Sequence, residues 1–131
     1  RTRHVSESMC RDFLRMSFGD EDVLDGRVDW CRNPDSGYKL PFDAIVASKR
    51  TIIEIDGEQH FRRIAFFNKT MTFEEIWARD RYKEQRALAN GYSVIRVRAK
   101  EVYYDKKEWK RRLMDALRNI DLDNPSVMKL Y

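Results

Sequence analysis

The segment TIIEIDGEQHF, residues 51–61, constrains this chain more than any other stretch, because an apolar strand runs directly into a knot of polar groups. Side chains alternate between the two faces of a strand, so Ile53 and Ile55 share one face and Glu54 and Asp56 the other. The isoleucines need a buried layer, and the acids then lie together on the opposite side. Gly57 lets the backbone leave the strand sharply, and His60 follows just beyond. One hairpin upstream, LPFDAIV brings Asp43 toward the same side. Carboxylates gathered at one point repel each other unless a cation neutralises them. Mg2+, with Mn2+ as a substitute, prefers such oxygen ligands. Asp43, Glu54 and Asp56 are therefore the expected metal ligands, and the Ile55 carbonyl can add another. The plain alternative is an exposed polar strand face, with Asp43 capping the turn at 48–50 or pairing with an arginine.

A chain of 131 residues has room for one compact domain, here read as a single unit over 1–131 with a tail at 121–131. It begins at Arg1 rather than methionine, so it is expected to be a piece of a longer chain. Hydrophobic residues make up 42%, enough for a core, and no run approaches the length of a membrane span. The formal net charge of +4 fits a polyanionic partner, and between Arg96 and Arg118 lysine and arginine clearly outnumber acids. A basic surface around an acidic pocket suits a nuclease: the surface holds phosphates and the acids hold a divalent cation. Cys10 and Cys31 are too few and too far apart for a structural zinc site. They are able to pair, but nothing suggests a secreted disulfide framework. Cys10 reads as a buried apolar residue, and a reducing, intracellular setting fits best.

Periodicity predicts a first helix over 5–18, an acidic turn at 19–26 and an edge strand at 27–32. NPDSG marks a turn, followed by a strand at 39–47, a tight turn at 48–50 and a strand at 51–56. Thr72, with Glu75 three residues later, predicts a capping box opening a helix over 73–90, which Asn90-Gly91 ends. A fourth strand at 92–97 and a final helix at 106–120 complete a mixed α/β sheet of four strands flanked by helices. The strand after the long helix is expected to run parallel to 51–56.

His60 can act as general base toward a water, ligate the metal or orient a phosphate. Asp80 either faces the sheet or lies in a surface charge ladder, and Glu7 opens the first helix, where a carboxylate is favourable anyway. Arg62, Arg63, Lys69, Arg79, Arg81 and Lys83 are the candidate phosphate contacts, or a solvated face.

Asp43, ten intervening residues and then Glu54-Ile55-Asp56 resemble the PD-(D/E)xK, or restriction-endonuclease-like, superfamily. Two departures stand out. Phe42 separates Pro41 from Asp43, and Asp56 replaces the usual lysine. The runs CRNPDSGYKLPFDAIVASKRTIIEIDGEQHF and RDRYKEQRALANGYSVIRV resemble a branch related to very-short-patch repair endonucleases. That branch includes phage and intron homing endonucleases with a Glu-Asp-His-Asp active site. The resemblance implies Glu7, Asp43, His60 and Asp80 as that site, with His60 filling the role of the absent lysine. It further implies magnesium-dependent cleavage of double-stranded DNA, a separate recognition domain and a phage-like setting. Cutting both strands needs two active sites or sequential nicks, so a dimer on DNA is the expected partner arrangement. The RAP domain of organelle RNA-associated proteins shares an IDG-x-x-HF-like motif without evident cleavage, so a non-catalytic RNA-binding module is the alternative. Retention of Asp43, Glu54 and Asp80 together favours catalysis.

Overall fold

The computed structural model describes residues 2–58 and 72–131. Within them one sheet runs in chain order through β1 (Val23–Leu24), β2 (Ala44–Val46), β3 (Thr51–Asp56), β4 (Ser93–Arg98) and β5 (Val127–Lys129). β1, β2 and β3 pair antiparallel, while β3, β4 and β5 run parallel, so the expected mixed sheet is present. Helices α1 (Thr2–Phe18), α2 (Phe73–Ala89), α3 (Ala99–Tyr103) and α4 (Trp109–Arg118) flank it.

The alternation along β3 sets the layers. Ile53 and Ile55 join Cys10 and Leu14 of α1, Val102 of α3, and Trp109, Leu113 and Leu117 of α4 in one core. Ile52 faces the other way, with Ile45, Phe42, Cys31, Val94 and Ala87 of α2. Both cysteines are free and buried, one in each core, so the possible pairing is not made. α2 starts as predicted, on a capping box between Thr72 and Glu75. Its buried residues are Asp80, Lys83, Glu84 and Ala87, so this helix docks largely through charge. An amphipathic helix normally docks through an apolar stripe, which α1 and α4 both have.

Several expectations are corrected. Residues 27–32 form no strand; an isolated bridge joins Arg32 to Lys39, and Trp30 stacks at 5.7 Å on Phe42 and 5.4 Å on Tyr92. The edge strand is β1, inside the stretch read as an acidic turn. Val23 is buried beneath α1 and pairs with Val46, and two paired residues are too few to show alternation. The strand expected over 39–47 is only Ala44–Val46, and the helix expected at 106–120 is the shorter α4, which starts at Trp109 after left-handed backbone at Asp105, Lys107 and Glu108; α3, just before that turn, was not expected. The tail, read as uninformative, supplies the fifth strand: Val127 packs on one core and Met128 and Leu130 on the other. Gly26 sits against the chain entering β2, where a Cβ would lie 1.7 Å from the Phe42 carbonyl oxygen. Only glycine fits there. Among the described residues no helix is long and apolar enough to cross a membrane.

Candidate active site

β2 begins where antiparallel β3 ends, and at that end of the sheet α1 and α2 meet from opposite faces around a cleft of ≈ 540 Å³. α1 contributes Arg3, Glu7, Arg11 and Arg15. Their four-residue spacing places them on one stripe of the helix, about 6 Å apart along its axis. α2 contributes Arg79 and Lys83, and the segments beside β1 and β2 contribute Arg27 and Asp43.

Asp43 and the end of β3 are tied by backbone. The Ile55 N–H donates to Asp43 Oδ2 at 2.7 Å, and the Asp43 N–H donates to Glu54 Oε1 at 3.2 Å. Lys83 reaches from α2 to within 3.5 Å of Glu54 Oε2, while its Nζ donates to the Pro41 carbonyl at 2.7 Å. One ammonium therefore balances Glu54 and anchors the segment that carries Asp43. From α1, Arg3 donates through Nε to the Ile55 carbonyl at 3.1 Å, pairs with Glu7 at 3.2 Å and lies 3.7 Å from Asp43. Burial pushes the Glu7 carboxyl up, and the Asp43 charge adds to the rise.

The other predicted acids gather elsewhere. Parallel register sets Arg96 opposite Glu54, and the Arg96 guanidinium bonds Asp56 at 2.7 Å and Glu84 of α2 at 2.5 Å. The Tyr131 hydroxyl donates to Asp56 at 3.1 Å. Asp80 is buried and lines a small second pocket with Asp56, Arg96 and Tyr131. The structure thus brings together Glu7, Asp43 and Glu54, and separately Asp56 and Asp80. Among the described residues no three His, Cys, Asp or Glu side chains form a group able to hold an ion. Of the candidate cations, Arg79 and Lys83 line the cleft, while Arg81 pairs with Glu84 at 2.9 Å and lies over Trp77. His60, Arg62, Arg63 and Lys69 lie outside the described residues.

Sequence reading missed the arginines of α1. Their signal was present: Arg3, Glu7, Arg11 and Arg15 repeat every four residues along α1, on a stripe beside the buried Ser6, Cys10 and Leu14. It also missed Arg96, whose place inside an apolar strand reports a buried partner.

Glu54 is only 3% exposed, and burial pushes its carboxyl from 4.5 up to about 7, against the pull of Lys83 and with the help of Asp43. The folded protein therefore holds this proton more tightly than the unfolded chain does. The stability this confers is fully present below pH 4.5 and is lost as pH rises through about 7. The whole effect is at most about 3 kcal/mol. Glu54→Gln should flatten this loss. Urea unfolding of both proteins at pH 5 and pH 8 measures it, and equal pH slopes would clear Glu54 of the effect.

Fold and site together define a mixed α/β domain with a basic cleft over a carboxylate pair. No protein-family model, curated protein or solved structure matches the chain.

Proposed function

We propose that this chain is the catalytic domain of a Mg2+-dependent endonuclease that hydrolyses phosphodiester bonds of double-stranded DNA inside a cell. Mn2+ can replace Mg2+, and target recognition comes from a further domain or from two copies meeting on the duplex. One observation carries this reading: Glu7 and Asp43 face a cleft that five arginines and Lys83 also line. The arginines suit a phosphate backbone. The carboxylates have no comparable use in a site meant only to attract anions, since they weaken its positive potential.

The donor set suits the cation. Glu7, Asp43 and the Ile55 carbonyl offer only oxygens, and a guanidinium already lies among them as a stand-in cation. Glu54 supports Asp43 from behind by accepting its N–H. When bound, the metal would polarise a phosphate oxygen and acidify a water. His60 takes the proton from the attacking water as general base. Lys83 brings across space, from α2, the positive charge that Asp56 cannot supply from the strand. Asp56 is tied through Arg96 to Glu84 of α2, with Asp80 buried beside them, and this link places Lys83 and Arg79.

Supercoiled plasmid incubated with excess protein should be nicked or cut with Mg2+ or Mn2+ and left intact with EDTA. Intact plasmid under every metal would refute the reading. A second reading, a nucleic-acid-binding module that does not cleave, is favoured by Arg3 filling the space among the oxygens. It predicts retention of nucleic acid, RNA included, with no dependence on divalent metal.

A further inference from the structure

Arg3 of α1 is held by three oxygen groups: the Glu7 carboxylate at 3.2 Å, the Ile55 carbonyl at 3.1 Å and the Asp43 carboxylate at 3.7 Å. These groups come from a helix, a strand and the segment before β2, so their meeting depends on the tertiary fold.

The contact geometry points to an exchangeable occupant. Arg3 Nε is shared between Glu7 and Ile55, and the Asp43 contact is longer than a good charge-assisted bond. The Arg3 side chain keeps 37% of its exposure, whereas Glu7 and Asp43 keep 16% and 13%. The oxygens are fixed and sheltered; the guanidinium is reachable from solvent. Arg3 also borders a neighbouring cleft of ≈ 250 Å³ that contains the Glu58 carboxylate. Arg98 and Lys100 line this cleft too and pair with Glu58, so it offers the displaced side chain room to enter without crossing the core rather than a vacant acid.

We propose that Arg3 is an internal counter-cation that competes with a divalent metal ion for the oxygens of Glu7, Asp43 and Ile55. This rests on the endonuclease reading above and adds a regulatory property to that site. Metal-free, the site is held together by Arg3. With metal, Arg3 swings aside, and its charge is released toward the neighbouring cleft and the phosphates in the main one. Apparent metal affinity is lowered by the competition, so the site fills only when divalent ion is abundant.

Mn2+ binding is the test, followed by the loss of the free-ion electron paramagnetic resonance signal, with thermal unfolding as a second readout. Arg3→Gln keeps a donor for the Ile55 carbonyl and removes the charge; Arg3→Ala removes both. Both variants should bind Mn2+ about fivefold more tightly than the parent, the size expected for losing one partly exposed ion pair. Their melting temperatures should fall without metal and recover with it by more than the parent's does. Asp43→Asn in either background should abolish the binding. If the Arg3 variants bind Mn2+ no more tightly than the parent, while Asp43→Asn still abolishes binding, the competition is wrong and the metal site stands. If no protein binds Mn2+, the competition and the metal-dependent reading fall together. Weaker binding in Arg3→Gln would make Arg3 a support of the metal site and overturn its role as rival.

Discussion

Asp43→Asn is expected to abolish metal-dependent nicking, by about a thousandfold or more, while leaving the protein at least as stable as its parent. The two halves follow from the same geometry. Asp43 accepts the Ile55 N–H at 2.7 Å, and an amide oxygen can accept that bond as well. What asparagine lacks is the charge. That charge raises both Glu7 and Glu54, so its removal relieves repulsion in the apo protein. A structural aspartate would behave in the opposite way, because replacing it would cost stability. Plasmid nicking over a Mg2+ series, beside urea unfolding in EDTA, separates the outcomes. Retained nicking would move the catalytic centre elsewhere, and a large loss of stability would make Asp43 a strut.

The largest effect on stability is expected at Arg96. This side chain is 2% exposed and joins β4 to Asp56 on β3 and to Glu84 on α2. Arg96→Ala leaves both carboxylates buried with their main counter-charge gone, a loss of about 3–5 kcal/mol. Arg96→Lys should recover only part of it, since an ammonium cannot reproduce the planar fork that spans two acids. α2 depends on this link more than a helix with an apolar stripe would, because Ala87 is its only fully buried apolar side chain. Loosening α2 also displaces Lys83 from Glu54 and Pro41, so the alanine variant should lose nicking along with stability. Urea unfolding followed by circular dichroism checks the first effect. A change below about 1 kcal/mol would mean that the network contributes specificity rather than stability.

The legible parts of this fold were those written in short-range pattern. β3 coincides with the predicted strand at 51–56, and Thr72 and Glu75 form the predicted cap, because period-two alternation and capping depend on residues a few positions apart. The hairpin also told correctly that Asp43 meets Glu54. β1 and β5 were missed for the opposite reason. Each is short, and each is a strand because a longer neighbour offers it an edge. The final helix was read as starting at Lys106 rather than Trp109 because the left-handed residues Lys107 and Glu108 carry no glycine to mark the turn before it.

The candidate site divides along the same line. The sequence alone determined that Glu54 and Asp56 share a strand face, that Asp43 lies across the hairpin from them, and that α2 begins at its cap. Only the tertiary structure decided which charges those acids would keep. Parallel pairing of β3 with β4 put Arg96 within reach of Asp56 and drew it out of the expected trio. α2 over one face set Lys83 against Glu54, and α1 over the other delivered Glu7 and Arg3 to Asp43 and the Ile55 carbonyl. A carboxylate's partner is chosen by distance through space, and in this fold that distance depends on strand register and on which helix covers which face.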